Sequence, residues 1–193
     1  MNNLVFINAC IRQEQSRTYQ IASRLLTLLS QKYNIHTIDL TVSDLYCVTA
    51  NQYRERHTKE IPEQDLTLAN RVSHADRIVI AAPFWDMSFP SILKTFIEHI
   101  SIEGITFKNL EDGSTVGKCK ADKLLYITTR GMDIPTDSEL DQGSSYLKAI
   151  GWLWGIPEII TVAATGMDIY DEITVKERIE SAIETGLRIC NNF

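Results

Sequence analysis

No glycine precedes Gly104; all nine glycines of the chain lie at or beyond that position. The first half therefore holds neither a G-x-G-x-x-G turn after an opening strand nor a Walker-type phosphate loop, because both use glycine to bring backbone close to phosphate. Cysteine is sparse as well. Cys10, Cys47, Cys119 and Cys190 lie tens of residues apart with no C-x-x-C pair, so free thiols are expected rather than a disulfide framework or a zinc ribbon. Basic residues are in the minority, 19 Lys and Arg against 25 Asp and Glu, for a net charge of −6. The electrostatic footprint of a nucleic-acid or anionic-lipid binder is missing, and neither partner is expected. No apolar run approaches the roughly 18 residues of a membrane span. The opening Met1 to Ala9 has neither a positive leader nor a long apolar stretch, so a soluble cytoplasmic protein is expected. His36, His57, His74 and His99 have no metal-ligand spacing, and H-E-x-x-H and G-x-S-x-G are absent, so zinc and serine hydrolase chemistry has no support. The histidines are expected at the surface or in caps.

What the chain does contain is an ordinary globular composition, 44% hydrophobic and 23% charged over 193 residues. That length suits one domain, residues 1–193. Strand and helix signals alternate along it. Leu4 to Ile7 is an apolar run of buried-strand type, and Ser16 opens a helix whose Ile21, Ala22, Leu25, Leu28 and Leu29 recur at helical spacing. Ile35 to Leu40 reads as a second strand. After a polar stretch from Asp44 to Glu60, Pro62 starts a helix to about Ala75, and Arg77 to Ala82 is a third strand stopped by Pro83. Pro90 begins another helix. Gly104 to Lys120 reads as a long excursion, followed by a strand at Lys123 to Thr128, a helix at Ser144 to Trp154, a strand at Glu158 to Ala164 and a terminal helix with Ile179, Ala182, Ile183 and Gly186 on one face. Five strands joined through helices imply an α/β three-layer sandwich: a five-stranded parallel sheet in the flavodoxin-like order 2-1-3-4-5, helices on both faces. Ligands of such sheets sit beyond the carboxyl ends of the strands, so the loops there are the candidate site.

Three of these loops carry suitable chemistry. The first, Asn8 to Thr18, brings Cys10, Arg12, Ser16, Arg17 and Thr18 to the mouth of a helix, where unpaired N–H groups and the positive dipole end attract an anion. A plain helix cap at Ser16 with solvated arginines is the competing reading. The second, Pro83-Phe84-Trp85-Asp86-Met87, offers aromatics for a flat ligand, or else core or dimer-surface packing. The third, Thr129-Arg130-Gly131-Met132, combines a glycine turn with an arginine able to balance an anion, or is a turn with a surface arginine. Their convergence on one edge suits a flavin mononucleotide.

The same residues resemble the FMN-dependent NADH-azoreductases and NAD(P)H quinone reductases of the flavodoxin-like superfamily, over nearly the whole chain. Cys10, Ser16 and Thr18 match the spacing of the family's S-x-x-x-x-x-S-x-S phosphate loop, with cysteine in place of the first serine. Pro83 to Met87, with Leu93-Lys94 in the following helix, is similar to P-M-[YW]-N-F, Asp86 and Met87 standing for Asn and Phe. Gly104-Ile-Thr-Phe107 matches G-x-T-F, Thr129 to Met132 matches S-R-G-G in part, and Tyr146-Leu147 and Gly155-Ile156 recur before the fifth strand. The resemblance implies FMN held by Ser16, Arg17 and Thr18 at the phosphate and by Phe84 to Met87 and Thr129 to Met132 at the ring. It also implies NADH or NADPH as hydride donor in a ping-pong reaction, a quinone or azo compound as acceptor, and a homodimer. No side chain is needed as acid or base, because the flavin carries the chemistry.

Two rivals share the pattern. A non-catalytic flavodoxin-type electron carrier or flavin sensor would have the same sheet and mouth. A low-molecular-weight phosphatase would use Cys10 as nucleophile, but its arginine belongs six residues later, where this chain has Ser16, with Arg17 one position beyond.

Overall fold

The strands of the main sheet sort their side chains strictly by parity. Val5 and Ile7 of β1 (Asn2–Asn8) enter one core and Leu4 and Phe6 the other; Ile78 and Ile80 of β3 (Arg77–Ala81) divide from Val79 and Ala81, and Leu124 and Tyr126 of β6 (Lys123–Thr129) from Leu125 and Ile127. Successive side chains of a strand point to opposite faces, so an unbroken apolar run needs cover on both. On one side this cover is α1 (Arg17–Leu29) and α5 (Glu172–Asn191); on the other it is α2 (Glu63–Ser73), α3 (Ser91–Ile100) and α4 (Gln142–Trp154). Each fully buried leucine or isoleucine in these layers contributes on the order of 1.5–3 kcal/mol. The computed structural model describes residues 2–50, 53–54 and 61–193, so much of the expected polar stretch from Asp44 to Glu60, with His57, lies outside the described residues.

With β2 (Tyr33–Asp39) and β7 (Glu158–Ala164) at the edges, the sheet runs β2-β1-β3-β6-β7, every neighbouring pair parallel. This is the flavodoxin-like order expected from the sequence. Among the described residues no helix is long and apolar enough to cross a membrane.

The structure departs from the sequence reading in two places. The excursion after Gly104 contains a small antiparallel hairpin, β4 (Phe107–Asn109) with β5 (Thr115–Gly117), whose three-residue strands are too short for a periodicity signal. It packs on the end of α4, where the Cys119 N–H donates to the Trp154 carbonyl at 2.9 Å. The second departure is His99, which is neither surface nor cap. Its Nδ1 lies 2.9 Å from Oδ1 of Asp65 and its Nε2 2.9 Å from the Tyr46 carbonyl, both side chains buried, so it joins α2, α3 and the segment after β2. Burial of so polar a ring is tolerated because its nitrogens are satisfied. His74, by contrast, does cap α2 at its C-terminus, and His36 is exposed.

Candidate flavin site

Of the five segments that the parallel sheet delivers to its carboxyl edge, four enclose a cleft lined by Arg12, Ser16 and Arg17, by Pro83, Phe84 and Trp85, by Thr129 and Gly131, and by Met167 and Asp168. Eight of the residues singled out in the three loops thus meet at one place. At the first loop Ser16 is the N-cap of α1, its Oγ accepting from the Tyr19 N–H at 3.3 Å, so the bland cap reading and the site reading describe the same residue. The first turn of α1 has no acidic residue. Two arginines and the helix dipole therefore concentrate positive potential at the mouth, where the leading N–H groups have no intrahelical acceptor. Thr18 is fully buried and its hydroxyl is 2.7 Å from that of Thr129, tying the first loop to the third.

The second loop leaves β3 through a tight turn. Trp85 and Ser88 exchange both backbone hydrogen bonds, at 3.1 and 2.9 Å, around Asp86 and Met87 with φ of 49° and 67°. Two successive positive φ values match a type I′ turn, which favours Asn or Gly; a methionine there carries about 1 kcal/mol of strain or more. The turn is held from outside by the Gln142 N–H, which donates to the Met87 carbonyl at 3.1 Å. This fixed loop presents Trp85, 41% exposed, at the rim of the cleft. Asp86 is exposed, and neither it nor Met87 lines the cleft; Met132, 52% exposed, stands outside it as well.

Two further predicted residues, besides Asp86, Met87 and Met132, are placed differently from the sequence reading. Arg130 does not face a ligand: it is fully buried, Nη2 donating to Oδ2 of Asp141 at 2.7 Å and Nη1 to the Ile134 carbonyl at 2.8 Å, with the guanidinium 5.2 Å from the centre of the Phe84 ring. Its charge is spent on the loop itself. Burial opposes ionisation of Asp141, but bonds from the Ser144 N–H and hydroxyl and the Asp137 N–H, together with the Arg130 charge, outweigh it and hold that carboxyl below its usual range.

Cys10 is the other. It is fully buried, its thiol donates to the Ala81 carbonyl at 3.5 Å, and burial pushes its pKa up to about 12. A cysteine acts as a nucleophile through its thiolate, which this site disfavours, so the phosphatase reading loses its nucleophile. In the folded protein a thiol reagent such as Ellman's should titrate exposed Cys47 and leave Cys10 unmodified until denaturant is added; rapid labelling of Cys10 in the native state would contradict this placement. Among the described residues no three His, Cys, Asp or Glu side chains gather as a metal site.

Met167 and Asp168 were missed by the sequence reading because only three loops were read. The signal was available: β7 is the fifth parallel strand, so the loop after it must reach the same edge. Gly166, Met167 and Asp168 donate backbone hydrogen bonds to the carbonyls of Met132, Arg130 and Gly131 at 3.0, 2.9 and 3.0 Å, fastening this fourth loop to the third.

Comparison with known proteins agrees with this architecture. A family model described as the flavodoxin-like fold matches residues 2–187. FMN-dependent NADH:quinone oxidoreductase 2 of Clostridium perfringens is 31% identical over 207 aligned positions covering 100% of both chains, and the FMN-dependent NADH:quinone oxidoreductase of Clostridium beijerinckii is 32% identical over 202, again with full coverage of both. Among solved structures, the FMN-dependent NADH-azoreductase of Bacillus anthracis str. Ames Ancestor in complex with FMN superposes with a TM-score of 0.81 at 21% identity, over 98% of this chain and 100% of that one, a likeness of fold. With a family model spanning nearly its whole length and full-length relatives above 30% identity, the chain belongs to the flavodoxin-like family that includes the FMN-dependent NADH:quinone oxidoreductases.

Proposed function

We propose that this protein is an FMN-dependent NAD(P)H oxidoreductase that reduces quinones or azo compounds by two electrons, holding its cofactor in the cleft at the carboxyl edge of the sheet. The observation that carries this reading is the pairing, within one cleft, of an acid-free helix N-terminus flanked by Arg12 and Arg17 with an aromatic rim at Trp85. That donor set fits a phosphate at one end and a flat ring at the other. FMN, when bound, accepts hydride from NADH or NADPH and delivers two electrons to the acceptor. The chain's part is to bind and orient. Ser16, Arg17 and the N–H of Thr18 take the phosphate, while Pro83, Phe84, Trp85, Thr129 and Gly131 border the ring. Cys10 and Arg130 act one layer beneath, Cys10 by packing under the first loop and Arg130 by fixing the third. No side chain is assigned as a proton donor or acceptor.

The protein works as a cytoplasmic homodimer in this reading. Support for the dimer lies in large apolar side chains left exposed, Leu140 at 57% and Met132 at 52%, with Trp152 at 71% on the end of α4. The net charge of −6 supports a small-molecule acceptor over nucleic acid.

Mixing the protein with FMN should quench flavin fluorescence, and NADH should then reduce a water-soluble benzoquinone with parallel double-reciprocal plots. Arg17→Ala should weaken FMN binding about tenfold or more, the worth of a charge-assisted hydrogen bond. Flavin that binds but is reduced only through a separate reductase would instead mark an electron carrier. Flavin that does not bind would end both readings.

A further inference from the structure

The cleft already contains an anion of its own. Asp168, on the loop after β7, reaches across the mouth so that its Oδ1 accepts from Nη1 of Arg17 at 3.0 Å; the same nitrogen donates to the Met167 carbonyl at 3.0 Å. The backbone beneath is fixed, since the Asp168 N–H is bonded to the Gly131 carbonyl at 3.0 Å. The carboxylate is not. It is 73% exposed, and among the described residues Arg17 is the one side chain bonded to it. Its inward position also depends on the residue facing it: a Cβ on Gly131 would lie 2.3 Å from Asp168 Oδ2, so glycine at 131 leaves the carboxylate its room. A guanidinium that binds carboxylate binds phosphate by the same fork of N–H groups. An aspartate on a pinned backbone, paired with the arginine of the helix N-terminus, therefore takes up a guanidinium N–H that a phosphate would use.

We propose that the Asp168 carboxylate is a built-in competitor for Arg17, which the phosphate of FMN must displace, and that it sets how strongly the cleft distinguishes FMN from unphosphorylated riboflavin. This rests on the reading of the cleft as a flavin site and goes beyond it by assigning Asp168 to specificity. Displacement has two consequences. Each FMN bound breaks the Arg17–Asp168 pair, and the freed carboxylate stays on a fixed backbone near a group carrying about −1.5 to −2 charges. Riboflavin leaves the pair intact. Asp168 thus lowers FMN affinity and leaves riboflavin affinity alone, narrowing the preference for the phosphorylated flavin.

The test is Asp168→Asn, which keeps the side chain's shape and removes its charge, with Asp168→Ala as a second variant. Protein stripped of flavin is titrated with FMN and with riboflavin, following flavin fluorescence. Asp168→Asn should bind FMN about tenfold tighter, the size expected from removing one like charge a few ångströms away in a surface dielectric. Its riboflavin affinity should stay within twofold of the parent. Inorganic phosphate should raise the melting temperature of the variant more than that of the parent. FMN affinity unchanged in both variants, with the parent binding FMN normally, would overturn the proposal and leave the flavin reading standing. Equal tightening of FMN and riboflavin would also overturn it, since that marks a general change in the cleft. Failure of the parent to bind either flavin would overturn the flavin reading itself and the proposal with it.

Discussion

Replacing Arg130 with methionine should lower the melting temperature by roughly 6–20 °C, corresponding to a loss of about 3–5 kcal/mol in a domain of this size. The size follows from what the arginine leaves behind. Arg130 and Asp141 are both 0% exposed, paired at 2.7 Å, and Asp141 also accepts from the Ser144 N–H at 3.0 Å as the N-cap of α4 and from the Asp137 N–H at 3.1 Å. Removing the cation strands a carboxylate in the interior, whereas removing both charges together does not, so Arg130→Met with Asp141→Asn should cost less than the sum of the two single changes. The acid limb of stability carries the same signature. Asp141 is held below its ordinary pKa in the folded chain, so its contribution is complete above the unfolded value near pH 4 and fades as pH falls through the depressed folded value. Arg130→Met should shrink that fade, because part of the depression goes with the guanidinium. Function should follow stability, since the arginine staples the Thr129–Met132 loop to α4 and the cleft is built on that loop: FMN affinity should drop although Arg130 does not line the cleft. A melting temperature within 2 °C of the parent would show that the pair holds nothing together.

Arg130 also shows where sequence reading stops. The buried strands were legible because a parallel strand covered on both faces must be apolar at every position, as in Leu4 to Ile7 and Leu124 to Ile127, and that signal is local. The alternation of such runs with amphipathic helices fixes the topology, and topology brings Ser16, Trp85 and Gly131 to one edge. The partner of a charged loop residue is not local. Nothing in Thr129-Arg130-Gly131 indicates that the guanidinium turns away from the cleft toward Asp141, eleven residues on. The same blindness hid Asp65 from His99, 34 residues away, and Asp168 from Arg17, 151 residues away. Chemistry at the strand ends was therefore readable as a set of residue types, while which of them face a ligand and which bind one another needed coordinates.

The second large effect lies away from the cleft at the carboxyl edge, where the β4–β5 hairpin meets α4. Gly117, the last residue of β5, lies so close to the helix end that a Cβ there would fall 1.9 Å from the Gly155 nitrogen and 2.1 Å from the Trp154 carbonyl carbon. Both are backbone atoms, and they are fixed: Gly155 ends α4 in the left-handed region at φ 79°, and Trp154 beneath it is fully buried, its indole N–H donating to Ser101 Oγ at 3.2 Å. A methyl group cannot be accommodated by rotating a side chain, so the hairpin must lift, and the Cys119 N–H bond to Trp154, 2.9 Å long, stretches with it. Gly117→Ala should cost roughly 2–4 kcal/mol, the upper range of overpacking. Gly113, at the tip of the same hairpin, is the matched control. Its φ is 83° but a Cβ there meets nothing within 4 Å, so Gly113→Ala should cost only the strain of a left-handed alanine, about 1 kcal/mol. Urea denaturation compares the two directly. A midpoint for Gly117→Ala no lower than that for Gly113→Ala would mean the hairpin rides loosely on α4, and the close glycine-to-glycine contact would then have no share in fixing the end of the helix.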